Sequence, residues 1–169
     1  MIRYSSLLLS IIFAVNSWYG VHKLEPQTVN LHPINPNIKI EQALRELKAP
    51  EKQVTILAKS INSASTITDL SPLLITALIY TESTFHVNAV SNKGYKGLLQ
   101  TPDAIMKPGW QDIDILIGCK ILKEKLKITN NNLEEALTLY KGGRNKEARR
   151  YALRTIEIFN RLQKEASNV

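Results

Sequence analysis

The chain has 169 residues, of which 44% are hydrophobic and 22% are charged. This length fits one domain with a short extension, and the composition excludes collagen-like, low-complexity and wholly disordered chains. The formal net charge of +7 suits a nucleic acid, an anionic membrane surface or an acidic polymer, and charge alone does not choose among them.

The cysteine and histidine content argues against a structural metal site. Cys119 is the single cysteine, so no internal disulfide forms, and the three histidines are scattered at positions 22, 32 and 86. This set lacks the ligand spacing of a zinc site. The sequence therefore implies neither a metal nor an organic cofactor, and the apolar neighbours of Cys119 predict a buried core thiol.

The N-terminal segment, residues 1–17, is typical of a secretory signal. Arg3 precedes an apolar stretch over residues 7–15, which is too short to span a bilayer but matches the hydrophobic region of a signal peptide. Small residues at Val15 and Ser17 predict cleavage after Ser17, and the alternative is an uncleaved anchor. We therefore expect an exported protein that is periplasmic or anchored facing the periplasm.

The remaining chain divides into a linker and one domain. Residues 18–37 are predicted to form an extended linker, because Pro26, Pro33 and Pro36 discourage helix in the residues before them. From there residues 38–169 show helical periodicity, and no convincing pair of strands is visible. We predict an all-α fold of six or seven helices around one core.

Capping residues and apolar spacing place individual helices. Ser71 followed by Pro72 predicts the start of a helix whose residues 73–79 are almost wholly apolar. A final amphipathic helix is predicted over about residues 145–166. The predicted buried stripe of the second helix is Val54, Leu57, Ala58 and Ile61. The apolar positions at helical spacing in the other helices are Ile40, Ala43, Leu44, Leu47, Ile113, Leu116, Ile117, Ile121, Leu122, Leu126, Tyr151, Leu153, Ile156, Ile158 and Phe159.

Glu82 lies at the C-terminal end of the most apolar predicted helix. Burial beside the core and the helix's terminal carbonyl groups both disfavour the ionised form of this carboxylate. A carboxylic acid that stays protonated near neutral pH is what glycosidic bond cleavage needs as a general acid. The alternative, on this residue alone, is that Glu82 caps the helix or pairs with a lysine.

The residues that follow Glu82 form a specific pattern over residues 82–100. It resembles the signature E-S-x-F-x-x-x-A-x-S-x-x-G-x-x-G-L-[ML]-Q of the soluble-type lytic transglycosylases, which share the lysozyme-like domain. The resemblance implies a lysozyme-like catalytic domain. The matching residues are Glu82, Ser83, Phe85, Ala89, Ser91, Gly94, Gly97, Leu98 and Gln100.

Two weaker segments extend the resemblance over about residues 70–160. The family pattern N-I-x-x-G-x-x-Y-L corresponds to a segment that starts at Asp114 and keeps the isoleucine, the glycine and the final leucine. The pattern A-L-x-x-Y-N-A-G corresponds to residues 136–143, which keep Tyr140 but carry Lys141 in place of asparagine. A lysine there would either bind a substrate carboxylate or hold Glu82 in its ionised form.

The resemblance implies a role for each matching site residue. Glu82 would protonate the glycosidic oxygen and then act as base, and Tyr140 would lie over its carboxylate. Ser91 would hydrogen-bond near the N-acetyl group, and Gln100 would line the sugar cleft. Ser83 and Gly97 are also predicted to contact substrate, with Gly97 in a tight turn that approaches the sugar closely.

The resemblance implies a lytic transglycosylase that cleaves the MurNAc–GlcNAc bond of peptidoglycan and leaves a 1,6-anhydromuramyl product. Such an enzyme needs one carboxylate, because the C6 hydroxyl of the sugar replaces water as nucleophile. One alternative is a lysozyme-like muramidase that uses water, with Asp103 as the candidate second carboxylate. The other is a non-catalytic protein that binds the wall.

The expected partners follow from the same resemblance. Peptidoglycan glycan strands are the substrate, and the small size suggests a monomeric specialised enzyme that opens the wall for a secretion, conjugation or pilus apparatus. The basic residues of the last helix raise the alternative of a nucleic-acid surface. An exported protein seldom meets nucleic acid, so we expect a solvated basic face and no nucleic-acid partner. The functional alternative for this face is attraction to an anionic cell-wall polymer.

Overall fold

The computed structural model describes residues 36–102 and 109–168. Its regular secondary structure in those ranges is α-helical, and residues 84–102 form a loop with two isolated β-bridges. The predicted signal segment, residues 18–35 of the predicted linker and Asp103 lie outside the described residues. Pro36 and Asn37, which were assigned to the linker, begin the first helix. An all-α fold was predicted and is confirmed. The helices are α1 (Pro36–Glu46), α2 (Glu51–Thr68), α3 (Pro72–Ser83), α4 (Gln111–Ile128), α5 (Leu133–Tyr140) and α6 (Lys146–Ser167).

The helix ends follow the capping chemistry of the sequence. Ser71 is the N-cap of α3 and Pro72 is its first residue, as predicted. The Asn132 side chain accepts a hydrogen bond from the backbone N–H of Glu135 at the start of α5. Asn145 accepts in the same way from Ala148 at the start of α6. The two asparagine side chains satisfy backbone N–H donors that have no partner within the helix.

The core lies between the apolar faces of the helices, with α3 at its centre. Residues 74–79 of α3 are all buried, and the predicted apolar positions of α1 and α2 are buried as well. Cys119 is buried in the core, which confirms the predicted thiol environment. Phe85, directly after α3, is 1% exposed, and its ring centroid lies 5.8 Å from that of Tyr80.

One predicted core position is wrong. Leu153 in α6 is 49% exposed, although it was assigned to the apolar side of that helix. The buried stripe of α6 advances by three or four residues per turn through Ala148, Tyr151, Thr155 and Ile158, and residue 153 lies away from it. Local hydrophobicity alone placed Leu153 in the core, whereas the helical period puts it in solvent.

The packing of α6 against α3 positions the candidate site. The two helices are in extensive contact, and the Thr155 hydroxyl donates a hydrogen bond to the Thr81 hydroxyl at 3.2 Å between the oxygens. This contact fixes the last turn of α3, which carries Glu82, beside the first half of α6. Within the described ranges, no helix is long and apolar enough to cross a bilayer.

Candidate active site

Glu82 occupies the last turn of α3 and faces an open groove. The helix ends at Ser83, and Thr84 follows in the left-handed conformation, with its N–H donating to the Tyr80 carbonyl. The Glu82 side chain is only 2% exposed although the groove beside it is open. The fold therefore holds a carboxylate at the floor of the groove, against the edge of the core.

The groove has a volume of about 700 Å³ and runs from the start of α2 to the loop after α3. Most of its wall is formed by residues 82–91, which is the segment that carries the motif. The wall carries one carboxylate, from Glu82, and one ammonium group, from Lys141. The lining residues are Pro50, Gln53, Glu82, Ser83, Thr84, Phe85, His86, Val87, Asn88, Ala89, Val90, Ser91, Gln100 and Lys141.

Lys141 forms an ion pair with Glu82 across the groove. Its Nζ lies 2.8 Å from Glu82 Oε2, although the two residues are 59 positions apart in the sequence. The ion pair gives the enclosed carboxylate a partner of opposite charge. Of the two outcomes predicted for a lysine at this position, the structure contains the contact with Glu82.

Tyr151 of α6 completes the surroundings of this ion pair. Lys141 Nζ lies 4.6 Å from the centre of the Tyr151 ring, a distance typical of a cation–π contact. Burial, followed by the negative charge of Glu82, raises the pKa of the Tyr151 hydroxyl well above its ordinary value. The sequence placed Tyr151 in the core by its spacing and missed its proximity to Glu82. A tyrosine rather than a leucine at a core position was the available signal.

Ser91 and Gln100 organise the loop that forms one wall of the groove. The Ser91 hydroxyl accepts a hydrogen bond from the backbone N–H of Tyr95 at 3.0 Å. The Gln100 side-chain amide donates to the carbonyls of Ala89 at 3.1 Å and Gly97 at 2.8 Å. Both side chains line the groove while they tie the loop to itself. The predicted contacts of these residues with the sugar stay predictions.

Gly97 is packed behind the loop against Asp114 of α4. Its φ of +77° lies in the left-handed region, and a Cβ at this position would overlap the Asp114 carboxylate. Asp114 Oδ2 accepts a hydrogen bond from the Leu98 N–H at 2.6 Å between nitrogen and oxygen. Gly97 is buried, and its close approach is to this carboxylate.

Asp114 is a buried carboxyl group with incomplete hydrogen bonding. It is 4% exposed, and its Oδ1 has no hydrogen-bond partner among the described residues. Burial raises the pKa of Asp114, and the hydrogen bond from Leu98 partly opposes that rise. The sequence matched this position to a family asparagine without assigning it a role. The structure shows that it supports the wall of the groove from beneath.

Tyr140 and Ser83 use their hydroxyl groups to hold backbone. The Tyr140 hydroxyl donates to the Leu99 carbonyl at 2.8 Å, and burial followed by the charge of Glu82 raises its pKa well above the ordinary value. Ser83 Oγ donates to the Ile79 carbonyl at 3.1 Å within α3. Tyr140 therefore joins the end of α5 to residues 84–100, which we call the motif loop, near Glu82.

The structure brings Glu82, Ser83, Ser91 and Gln100 onto one groove. Gly97 and Tyr140 shape this wall from behind. Gln53 also lines the groove, and its buried Oε1 has no partner among the described residues, a feature that the helical pattern of α2 did not reveal. Across the described parts of the chain, no cluster of three or more His, Cys, Asp or Glu side chains is placed to hold a metal ion.

A match to a family model establishes which protein family the chain belongs to. The model of the transglycosylase SLT domain matches residues 59–159, a range that contains Glu82, the motif loop, Lys141 and Tyr151. The chain belongs to the SLT domain family. The match begins within α2 and ends within α6, so α1 precedes it.

The SLT fold is also evident from a solved structure. An X-ray structure of an inactive mutant of the lytic transglycosylase Slt from Pseudomonas aeruginosa is similar to this chain, with a TM-score of 0.56 and 14% sequence identity. The similarity covers 75% of this chain and 28% of that chain, so this SLT protein spans less than a third of Slt. No curated protein matches the chain.

Proposed function

We propose that this SLT protein is a lytic transglycosylase that cleaves the MurNAc–GlcNAc bond of peptidoglycan. Glu82, once protonated, donates its proton to the glycosidic oxygen as the bond from that oxygen to C1 of muramic acid breaks. The resulting Glu82 carboxylate takes the proton of the muramic acid C6 hydroxyl, whose oxygen bonds to C1. The acid is regenerated, no water is consumed, and a 1,6-anhydro sugar is released.

The placement of Glu82 is the observation that carries this proposal. Its carboxylate lies at the floor of an open groove and at the end of an apolar helix, inside the segment that matches the SLT family. Among the groove-lining residues that the structure describes, Glu82 is the one carboxylate. A hydrolase of the usual kind needs a second carboxylate to activate water or to attack the sugar, whereas the anhydro reaction does not.

Mass spectrometry of the soluble products from peptidoglycan sacculi tests the proposal. We expect the purified protein to release anhydromuropeptides and Glu82→Gln to release none. Reducing-end muropeptides would instead indicate the muramidase alternative and would direct attention to Asp103. An absence of products from the wild-type protein at several pH values would favour a wall-binding protein, an alternative that the Glu82–Lys141 ion pair makes worth testing.

We infer further that the protein acts on the wall after export, on the basis of the signal-like N-terminal segment. Fractionation of cells that produce the tagged chain tests this inference, and recovery from the cytoplasm would contradict it. A specialised role at a secretion, conjugation or pilus apparatus is a separate proposal. Genes for such an apparatus beside this one, and loss of its assembly in the Glu82→Gln strain, would support it.

A further inference from the structure

The ion pair between Glu82 and Lys141 is asymmetric in its exposure to solvent. The Glu82 side chain is 2% exposed, whereas the Lys141 side chain is 42% exposed. The carboxylate is therefore enclosed by protein, and the ammonium faces the groove. When a ligand enters this groove, Lys141 is the partner that it reaches first, and Lys141 is the partner that has space to move.

The backbone around Lys141 permits its side chain to move alone. The Lys141 N–H donates to the Leu137 carbonyl at 3.1 Å, which holds the residue at the end of α5. Gly142 and Gly143 follow with φ of +104° and +137°, and neither has a neighbouring atom where a side chain would lie. The lysine is thus anchored through its main chain, with open space beside the turn that follows it.

This arrangement conflicts with general acid catalysis unless the ion pair can be broken. The carboxyl group must face the glycosidic oxygen to give it a proton, whereas Glu82 Oε2 is engaged by Lys141 Nζ at 2.8 Å. A neutral ligand that separated the two groups would leave a buried carboxylate and a displaced ammonium without replacement partners. A ligand that carries its own carboxylate would give Lys141 a new partner of the same charge.

We propose that Lys141 is a specificity-determining residue that binds a carboxylate of the substrate and exchanges it for Glu82. The substrate class is a glycan that carries a free carboxylate close to the bond to be cleaved. In the free protein Lys141 pairs with Glu82. In the complex it pairs with the substrate carboxylate, and the Glu82 carboxyl group is released to face the glycosidic oxygen. This inference rests on the proposed function.

Peptidoglycan offers this carboxylate from two sources. The lactyl group of muramic acid has a free carboxylate where no peptide is attached, and the stem peptide itself ends in carboxylates. If the lactyl group is the source, a reaction that hydrolyses the amide between glycan and peptide must come before this one. Glycans with and without stem peptides therefore separate the two sources.

A binding experiment in the Glu82→Gln background tests Lys141 without turnover. The probes are soluble glycan strands with stem peptides and strands without them, each in its natural form and with its carboxylates converted to methylamides. We expect at least one natural form to bind about tenfold more tightly than its methylamide, as a charge-assisted contact allows. Adding Lys141→Met should bring that ratio close to one, and adding Lys141→Arg should retain it.

A matched lysine and a kinetic measurement complete the test. Lys96 is exposed on the motif loop, and Lys96→Met should keep the binding preference. With Glu82 restored, Lys141→Met should cleave the methylamide glycan faster than the wild type does. Equal binding of natural and methylamide strands, or equal loss of preference in both methionine variants, would overturn the assignment. If the wild type cleaves nothing, the proposed function fails while the binding ratios still decide the role of Lys141.

Discussion

The Cα of Gly97 lies so close to the carboxylate of Asp114 that a Cβ on it would overlap the carboxylate oxygens. The adjacent Leu98 N–H donates to the same carboxylate at 2.6 Å. A buried side chain of α4 therefore fills the space left by the missing glycine side chain and fixes the turn that leads to Gln100. This contact determines the position of the groove wall.

Replacing Gly97 with alanine should destabilise the protein by about 2–5 kcal/mol, through strain at its positive φ and overlap with Asp114. Chemical denaturation measures the loss. Gly94→Ala is the matched control, because Gly94 has a similar φ of +81° with no atom near the position of its Cβ. It should cost only the strain, about 1–2 kcal/mol. Equal losses in the two variants would show that Asp114 does not restrict residue 97.

Asp114→Asn should change how the free energy of unfolding depends on pH. Burial raises the pKa of Asp114 above its ordinary value of 3.8, so its contribution to stability is complete below that value. The contribution is lost as the pH rises through the folded pKa, because the buried group must then ionise. Asparagine keeps the acceptor for Leu98 and does not titrate.

Denaturation curves at a series of pH values measure this effect. The wild type should lose stability relative to Asp114→Asn as the pH rises from about 4 through the raised pKa of Asp114, and the difference should level off above it. Parallel profiles for the two proteins would contradict a titrating Asp114 beneath the loop.

Tyr140→Phe should destabilise the protein by about 1–3 kcal/mol, because it removes the hydrogen bond to the buried Leu99 carbonyl. Tyr151→Phe provides the comparison. The Tyr151 hydroxyl is buried beside Glu82 without a well-aligned hydrogen bond, so its loss should change stability by less than about 1 kcal/mol. Thermal unfolding of both variants measures the difference. A larger loss for Tyr151→Phe would show that the Tyr151 hydroxyl, and not that of Tyr140, makes the more stabilising hydrogen bond.

Gly118→Ala should destabilise the protein even though alanine is the better helix former. The exchange favours a helix interior by about 1 kcal/mol. At Gly118, however, a Cβ would lie 2.6 Å from the Cβ of Leu99, which is attached to the backbone of the motif loop and cannot rotate away. Overpacking of this kind costs about 1–3 kcal/mol. A higher melting temperature for Gly118→Ala would show that α4 and the loop can separate freely.

Local patterns in the sequence were sufficient to predict the helices and to select Glu82 as the candidate acid. Apolar spacing predicted the helices and the buried faces of α1 and α2, and Ser71 followed by Pro72 marks the start of α3 as predicted. Asn132 and Asn145 cap their helices through side-chain hydrogen bonds. The motif around Glu82 lies within a few turns of chain. Such features depend on neighbours in sequence, and their spacing can therefore be read directly.

Tertiary packing decided which distant side chains surround Glu82. Tyr151 reaches it because α6 packs against α3, and Lys141 reaches it from the end of α5, which packs against α6. Asp114 of α4 meets the Gly97 turn through tertiary packing as well. No local pattern states which face of one helix will contact another. Burial and charge at these contacts depend on three-dimensional proximity, and so the ion pair between Glu82 and Lys141 became visible only in the folded chain.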